Sequence, residues 1–375
     1  RDQSIPEVGT TTYRPPYTPV PLTAFGGTRR GELFAPVRRL ALENQHRQDR
    51  AVFREYGGWL RPAVYANADT AEDAILAEAR AARTGVALFD GSPLGKIEVM
   101  GPDAAALVDF NLYNTMSTLK VGRARYGLML QESGYVYDDG VVLRLAEDHF
   151  VVSCSSSHVD GVHMRFEEWR QDSFDRRRVF VHNATPAWAT LTVAGPKAGD
   201  LVARLGLDVG TDDESLPHIG VREGTLDGYP IRIARVSFTG ERSYEISVPP
   251  AAADALWRRM KGDGAAFDAV LLGVEALSIL RAEKGFIMIG KDTDGATMPH
   301  DLGMKGPRDR RKTEFVGRRS LFTEEAERAD RRHLVGLAVA ADEPPLPVGA
   351  HGVEDAAGGT ARSIGFVTTS AHSPN

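Results

Sequence analysis

The sequence contains one pattern twice: Val-Met-Gly-Pro-Asp-Ala-Ala-Ala-Leu-Val at residues 99–108 and Val-Ala-Gly-Pro-Lys-Ala-Gly-Asp-Leu-Val at residues 193–202. Each copy is typical of a strand end, a glycine turn, a proline at the first helical position and an amphipathic helix. A Gly-Pro pair before a helix is common by itself, but here the Ala and Leu-Val positions also recur at the same offsets. We therefore expect a duplicated split β-α-β architecture.

Apolar runs separated by turn residues predict hairpins on either side of the second copy. Five strands are expected: residues 126–130, 136–145, 150–154, 231–237 and 244–248. One helix should begin after Thr70, which can form a capping box with Asp73, and end at Gly85, and another should cover residues 274–283. Hairpins outnumber crossovers in this pattern, which predicts an α+β fold.

Composition excludes several classes of function. The 375 residues carry a net charge of -6, with 45 basic and 51 acidic side chains intermixed, whereas a nucleic-acid partner requires a basic face. A single cysteine, Cys154, excludes a disulfide framework and a multi-cysteine metal site, and the 10 scattered histidines indicate no metal site either. No apolar run approaches the roughly 20 residues of a membrane helix, and no secretory signal is evident, so we expect a cytoplasmic protein.

The two ends indicate that more polypeptide belongs to this protein. Residues 1–50 are rich in Pro and Gly, and we expect them to form an extended connector laid across a neighbouring surface. The strand-like run at residues 363–368 is followed almost at once by the last residue, Asn375. We therefore interpret the chain as a piece of a longer polypeptide whose C-terminal β unit is truncated.

The first candidate site is Tyr-Asp-Asp-Gly at residues 137–140, because two adjacent carboxylates interrupt a hydrophobic run. Asp-Asp-Gly is also good turn or bulge chemistry, and the residues alone favour that interpretation. If the segment is a strand, Asp138 and Asp139 point to opposite faces, so one of them at most can face a given pocket.

Two further candidates lie downstream. Glu245 stands among strand residues at the end of the hairpin at 237–245, and Arg281 lies near the end of the helix that stops at Gly285. Each pattern is equally typical of solvated charges on a hairpin or at a helix end. No single local feature decides between a site and a surface.

The order of these segments resembles that of the glycine-cleavage T-protein family. Gly-Trp-Leu-Arg-Pro at residues 58–62 and Gly-Val-Ala-Leu-Phe-Asp at residues 85–90 precede the Asp-Asp hairpin. Thr-Gly-Glu-Arg-Ser-Tyr-Glu at residues 239–245 and Leu-Arg-Ala-Glu-Lys-Gly at residues 280–285 then follow in that family's order. Each segment is weak alone, but the set is specific.

Within that family the chain is most similar to the C-terminal half of the alpha subunit of heterotetrameric sarcosine oxidases. The proline-rich lead-in Thr-Thr-Tyr-Arg-Pro-Pro-Tyr-Thr-Pro-Val at residues 11–20, Leu-Gly-Lys-Ile-Glu at residues 94–98 and Arg-Tyr-Gly-Leu-Met-Leu at residues 125–130 carry this narrower resemblance. Dimethylglycine-oxidising enzymes have a related domain without such a lead-in.

The resemblance implies a three-lobed folate-binding fold of the aminomethyltransferase type. Its expected parts are a connector at residues 1–50 and a first folate-binding lobe made of residues 51–92 and 185–300. A second folate-binding lobe is expected at residues 93–184, and an incomplete β-barrel-like C-terminal lobe at residues 315–375.

The resemblance also implies roles for particular residues. Asp138 corresponds to the essential carboxylate near N5 and N10 of the pterin, with Asp139 as the alternative. Glu245 matches the acid that hydrogen-bonds the pterin ring, and Phe238 stands where the T-protein usually has tyrosine. The implied cofactor-binding positions are Glu245, Phe238, Arg281, Tyr126 and Tyr244.

The implied function is capture of a one-carbon unit, an imine or formaldehyde from the oxidation of an N-methyl amine such as sarcosine, as 5,10-methylenetetrahydrofolate. Tetrahydrofolate is the expected cofactor. Flavin and NAD are expected only on missing regions or on partner subunits, one of them a flavin-bearing oxidase subunit. The alternatives are a folate-dependent demethylase or aminomethyltransferase acting on dimethylglycine or an O- or S-methyl donor, and a folate-binding module without catalysis.

Overall fold

The computed structural model describes residues 38–304, 312–340, 343–355 and 361–374. A three-stranded sheet opens the fold, with β1 parallel and β2 antiparallel to the central strand β3. These strands and the first helix are β1 (Arg38–Arg39), α1 (Glu43–Gln48), β2 (Ala51–Tyr56) and β3 (Trp59–Tyr65). The rest of the expected connector, residues 1–37, lies outside the described residues.

Residues 38–50 differ from the extended connector that the sequence pattern predicts. They contain helix α1, and Leu42 and His46 are buried. The His46 ring is hydrogen-bonded through Nε2 to Asp90 Oδ2 (3.0 Å) and through Nδ1 to the Tyr65 hydroxyl (2.9 Å). These partners are distant in sequence, so local composition cannot indicate that this segment is part of the core.

A six-stranded sheet forms the first large layer of the fold. Its strand order is β11-β12-β13-β10-β4-β14, and all neighbours are antiparallel except β4 and β14. The strands are β4 (Ala87–Asp90), β10 (Ala189–Ala194), β11 (Val221–Leu226), β12 (Tyr229–Ala234), β13 (Ser243–Val248) and β14 (Val270–Leu271). The hairpin predicted between residues 231 and 248 is confirmed as β12 and β13.

A five-stranded antiparallel sheet of order β6-β7-β8-β5-β9 forms the second large layer. Its strands are β5 (Gly95–Met100), β6 (Arg123–Leu130), β7 (Val136–Ala146), β8 (His149–Cys154) and β9 (Phe180–Asn183). The three strands predicted between residues 126 and 154 are confirmed as β6, β7 and β8.

Helices pack on both large sheets. They are α2 (Ala71–Thr84), α3 (Ala104–Asn111), α4 (Val159–Ser173), α5 (Ala198–Arg204), α6 (Pro250–Gly264), α7 (Val274–Glu283) and α8 (Glu324–Glu327). Apolar side chains of α5 and α6 pack on one face of the six-stranded sheet, and those of α3 and α4 pack on the five-stranded sheet. Helices α2 and α7 cover the β4 end of the six-stranded sheet on its other face. The mixture of helices with antiparallel sheets confirms the α+β prediction.

The two sheets meet along a small apolar seam. Ala124 of β6 packs with Val221, Ala234 and Val236, and Val141 of β7 lies against this group. Away from this seam, residues of both sheets line a common central space.

Both copies of the repeated sequence form the predicted strand–turn–helix unit, as β5 with α3 and β10 with α5. The turn glycines have the same unusual backbone, with φ +112° at Gly101 and +127° at Gly195. A Cβ would lie 2.4 Å from the Arg178 carbonyl oxygen at the first site and 2.3 Å from the Gly85 carbonyl oxygen at the second. Only glycine satisfies both the φ angle and the close approach at these turns.

The C-terminal part contains one two-stranded sheet, β15 (His351–Asp355) with β16 (Ala361–Phe366). Within the part of the chain expected to form the C-terminal β lobe, residues 331–340 form no helix or strand. Val335 and Leu337 remain 67% and 73% exposed, since no neighbouring strand covers them among the described residues. None of the helices in the described part of the chain has the length and apolar character that a membrane crossing requires.

We expect Gly101→Ala and Gly195→Ala each to lower the free energy of unfolding by on the order of 2–5 kcal/mol, because backbone strain adds to a steric clash. Gly228→Ala is the matched control, since Gly228 also has a positive φ (+84°) but no atom within 4 Å of the added Cβ. It should lose only about 1–2 kcal/mol. Urea unfolding of the three variants measures the difference, and equal losses would show that the close approach carries no energy.

Candidate functional site

The space between the two sheets is a cavity of about 3270 Å³. It is larger than a typical small-molecule pocket of roughly 300–1,000 Å³, because it extends along the C-terminal segment, which also lines it. Its walls come from the inner faces of both sheets, from α7 and from the loop that follows α7. The duplicated fold thus places two strand surfaces, one per repeat, around one interior.

The Asp-Asp pair lies in the middle of β7 and not in a turn. Asp138 pairs with Met129 of β6, and Val136 pairs with Leu130, so Tyr137 is the extra residue of a bulge. The turn interpretation is therefore wrong, whereas the bulge interpretation describes the residue just before the pair.

The two carboxylates have different surroundings. Asp138 is completely buried, and its oxygens accept hydrogen bonds from the Ser155 backbone N–H (3.0 Å) and hydroxyl (2.6 Å). Asp139 points the other way, lines the cavity, and accepts a hydrogen bond from the Tyr126 hydroxyl (2.8 Å). Of the pair, the carboxylate that the cavity can reach is that of Asp139, the alternative in the sequence interpretation.

Burial and, after it, the charge of Asp138 together raise the pKa of the Asp139 carboxyl to about 7, although the hydrogen bond from Tyr126 acts in the opposite direction. The pKa of Tyr126 is also raised, first by burial and then by Asp139. Tyr126 is 37% exposed, but this exposure is to the cavity, so both groups are only weakly solvated. At neutral pH Asp139 can therefore both hold and release a proton.

Glu245 faces the same cavity from β13 of the other large sheet. Burial raises the pKa of its carboxyl to about 7, and the nearby Lys96 partly opposes the shift. Within the part of the chain that the structure describes, the Glu245 carboxylate makes no hydrogen bond. Its neighbour Tyr244 points into the core under α5 and α6, where its hydroxyl accepts a hydrogen bond from Arg242 Nε (2.7 Å).

Tyr244 was expected at the cofactor-binding position together with Glu245. Adjacent residues of a strand point to opposite faces, so the two cannot share the cavity. The structure places Tyr244 in the core and leaves Glu245 on the cavity wall.

Aromatic rings form another part of the wall. Phe238 follows β12 and stacks on Phe286, with ring centroids 6.4 Å apart and an interplanar angle of 25°. Both rings line the cavity, and Phe286 is 40% exposed. They offer an apolar surface at the end of the hairpin that carries Glu245.

Arg281 borders the cavity, but its guanidinium is mostly engaged within the protein. It pairs with Asp292 and donates to the Phe286 carbonyl oxygen (3.1 Å) and the Thr369 hydroxyl (2.7 Å). Only Nε is left without a hydrogen bond among the described residues. The Arg281 guanidinium is therefore better placed to position the Phe286 loop than to bind a ligand directly.

Two buried basic residues near the site have no role in the sequence interpretation. Lys96 of β5 donates through Nζ to the carbonyl oxygens of Ser92 (3.0 Å) and Leu94 (2.7 Å). Arg61 of β3 lines the cavity and is only 9% exposed. In the sequence, each of these residues is a lone basic residue inside a mostly apolar strand. That pattern alone does not distinguish a ligand-binding residue from a residue that forms a salt bridge within the protein.

Comparisons with known proteins agree with this architecture. Residues 42–307 match the model of the family described as the GCVT N-terminal domain. The aminomethyltransferase of Streptomyces coelicolor is 35% identical over 90% of this chain and 86% of its own length. The chain belongs to the glycine-cleavage T-protein family. This is a family of enzymes that binds tetrahydrofolate, so membership supports folate-dependent one-carbon transfer.

A solved structure supports the same fold. The glycine cleavage system aminomethyltransferase T from Bartonella henselae has a TM-score of 0.76 and 26% sequence identity, covering 90% of this chain and 87% of that one.

The alpha subunits of sarcosine oxidases are also similar to this chain. That of Corynebacterium sp. (strain P-1) is 40% identical over 98% of this chain, and that of strain U-96 is 38% identical over 88%. The chain spans little more than a third of these subunits, 38% and 34% of their lengths. It therefore resembles the T-protein-like part of a much longer polypeptide.

The opposite surroundings of the Asp-Asp pair predict opposite effects on stability. The pKa of Asp139 is raised from 3.8 to about 7, so between these pH values the unfolded chain has released a proton that the folded chain retains. Stability is therefore lost as the pH rises from about 4 to about 7, and it stays at the lower level above that pH. Asp139→Asn removes this loss, and the variant should exceed the parent by on the order of 1–3 kcal/mol at pH 8 and differ little at pH 4.

Asp138→Asn is the matched variant. It takes one acceptor from Ser155 and should destabilise the protein by about 1–3 kcal/mol at both pH values. Denaturant unfolding at pH 4 and pH 8 compares the two, and parallel behaviour of both variants would contradict the assignment of the pair to opposite faces.

Proposed function

We propose that this chain captures a one-carbon unit as 5,10-methylenetetrahydrofolate, within a sarcosine oxidase alpha subunit. The unit arrives as the imine or as formaldehyde from the oxidation of an N-methyl amine, with sarcosine as the expected amine. The observation that carries the proposal is that Asp139 and Glu245 face one cavity from two different sheets, each with a pKa raised to about 7.

The residues around the cavity fit tetrahydrofolate. A pterin has a guanidine-like edge with paired N–H donors, and the Glu245 carboxylate is an acceptor without a hydrogen bond in the described structure. The stacked rings of Phe238 and Phe286 supply an apolar surface beside it. Glu245 would thus bind the ring edge and the aromatic pair would contact its flat surface.

Tetrahydrofolate supplies two amine nitrogens, N5 and N10, that take up the carbon, and the two hydrogens they lose leave in glycine when the donor is the imine or in water when it is formaldehyde. Asp139 is suited to assist because a carboxyl with a pKa near 7 can accept a proton and return it at neutral pH. In its ionised form it also stabilises the positive charge of a protonated imine. Tyr126 orients the carboxylate through its hydrogen bond.

We assign this role to Asp139 and not to Asp138, the residue that the family resemblance implies. Asp138 does not line the cavity, and both of its oxygens accept hydrogen bonds from Ser155. A carboxylate in that position can influence the chemistry through its charge but cannot reach the ligand.

We infer that oxidation of the amine occurs elsewhere. Flavin and NAD would be bound by other regions of the longer polypeptide or by partner subunits, including a flavin-bearing oxidase subunit, in the cytoplasm. The support is the 40% identity with a sarcosine oxidase alpha subunit over 98% of this chain.

We expect Asp139→Asn to lower the rate of one-carbon capture by about 10²-fold or more while changing the dissociation constant of tetrahydrofolate by less than about threefold, because the residue acts in proton transfer. Glu245→Gln should instead weaken tetrahydrofolate binding by about tenfold or more, since a charge-assisted pair of hydrogen bonds is lost. Isothermal titration gives the binding constants, and product formation above the uncatalysed background gives the rate.

Three outcomes would contradict the proposal. Tetrahydrofolate binding without acceleration of capture would indicate a binding module. Formation of 5-methyltetrahydrofolate from an O- or S-methyl donor would indicate a demethylase of the same family. Equal loss of capture in Asp139→Asn and Asp138→Asn, with both proteins unfolded, would make the pair structural.

A further inference from the structure

Arg61 is a buried cation on the wall of the cavity. It lies in β3, in an otherwise apolar run that continues into Ala63, Val64 and Tyr65, and only 9% of its surface is exposed. Its guanidinium stands over the ring of Phe89, 5.5 Å from the centroid, and both residues line the cavity. Its position is therefore fixed by the small sheet on one side and by β4 on the other.

The Arg61 guanidinium has no hydrogen-bond or ion-pair partner among the residues that the structure describes. The nearest acidic influence is Asp90, but that carboxylate is already used: Oδ2 bonds His46 Nε2 (3.0 Å) and Oδ1 accepts from the Ser92 backbone N–H (2.9 Å). Asp90 thus acts on Arg61 through space only. Five N–H donors in a planar fork are left directed at protein atoms that do not accept, or at the cavity.

An unpaired buried guanidinium is costly for a protein to maintain. Burial lowers the pKa of Arg61 to about 10, which still leaves it protonated at neutral pH. A buried charged side chain without a counter-ion in the protein is rare unless it pairs with a ligand or a metal. The described residues therefore leave the charge and the N–H donors of Arg61 available to a ligand.

The register of the six-stranded sheet shows how far Arg61 lies from Glu245. Phe89 of β4 pairs with Thr192 of β10, and Thr192 pairs with Glu245 of β13, so these three side chains form one row on the cavity face. Two strand spacings separate the ends of the row by about 10 Å. Arg61, above Phe89, and Glu245 thus stand at opposite ends of one surface.

We propose that Arg61 forms a carboxylate-binding subsite at the end of the cavity opposite Glu245. This inference rests on the proposed function and names the chemistry of a second ligand group. A planar carboxylate matches the guanidinium fork with two parallel hydrogen bonds, and the apolar Phe89 ring excludes water from one side. The carboxylate has two possible sources, the imino acid whose product is glycine and the glutamyl part of the folate.

The test compares Arg61→Met with Arg54→Met in the 375-residue chain. Arg54 pairs with Arg61 across β2 and β3, but its side chain is 62% exposed and bonds Glu275, so it is a matched control outside the cavity. Isothermal titration measures the binding of tetrahydrofolate, of tetrahydropteroate, which lacks the glutamyl group, and of glycine in the presence of tetrahydrofolate. Methylamine replaces glycine as the probe without a carboxylate.

We expect Arg61→Met to weaken the binding of one carboxylate ligand by about 10- to 100-fold and Arg54→Met to leave it unchanged. If glycine binding falls while both pterins bind normally, the imino acid is the source. If tetrahydrofolate binding falls to the level of tetrahydropteroate, the glutamyl group is the source. Arg61→Lys, which keeps the charge but not the fork, should retain part of the affinity.

Thermal unfolding without ligand gives an independent measurement. Removing an unpaired buried cation should raise the melting temperature of Arg61→Met above that of the parent chain. A lower melting temperature, with Arg61→Met binding every probe as the parent does, would show that Arg61 serves packing and would overturn the subsite. If the parent chain binds no tetrahydrofolate, the proposed function fails before Arg61 is tested.

Discussion

The two-residue period of the β-strand determines which side chains of this protein face the core and which face the cavity. Each strand that borders the cavity has to serve two environments, because consecutive side chains point to opposite faces. On β13, Tyr244 fills the core beneath the helices while Glu245 faces the cavity. On β7, Asp138 is buried against Ser155 while Asp139 faces the cavity. Helices α3, α4, α5 and α6 can therefore cover one face of each large sheet, while α7 forms part of the cavity wall.

The inner surfaces carry charges that the described residues neutralise only in part. Burial raises the pKa values of Asp139 and Glu245 to about 7 and lowers those of Lys96 and Arg61 to about 8 and about 10. All four shifts have the same origin, since a poorly solvated group favours its neutral form. Such a cavity is less stable than an apolar one, and this cost is typical of sites whose charges are completed by a ligand. A molecule with paired donors at one end and a carboxylate at the other would complement it.

Sequence patterns predict the local structure well where the signal is local. Helix α7 and the hairpins of both sheets follow from periodicity and turn residues, and Thr70 caps α2 by accepting from the Asp73 backbone N–H. The failures need tertiary information. The burial of His46 depends on Asp90 and Tyr65, and the choice between Asp138 and Asp139 depends on a one-residue bulge at Tyr137 that reverses which side chain faces inward.

The bulge at Tyr137 places the two carboxylates of the Asp-Asp pair in different surroundings. Ser155 holds Asp138 through two hydrogen bonds, and His158 Nδ1 lies 3.7 Å from its Oδ1, close enough that Asp138 raises the pKa of the imidazole. The charge of Asp138 is in turn the second cause, after burial, of the raised pKa of Asp139. A carboxylate that does not line the cavity thereby helps to bring its neighbour's pKa near neutrality.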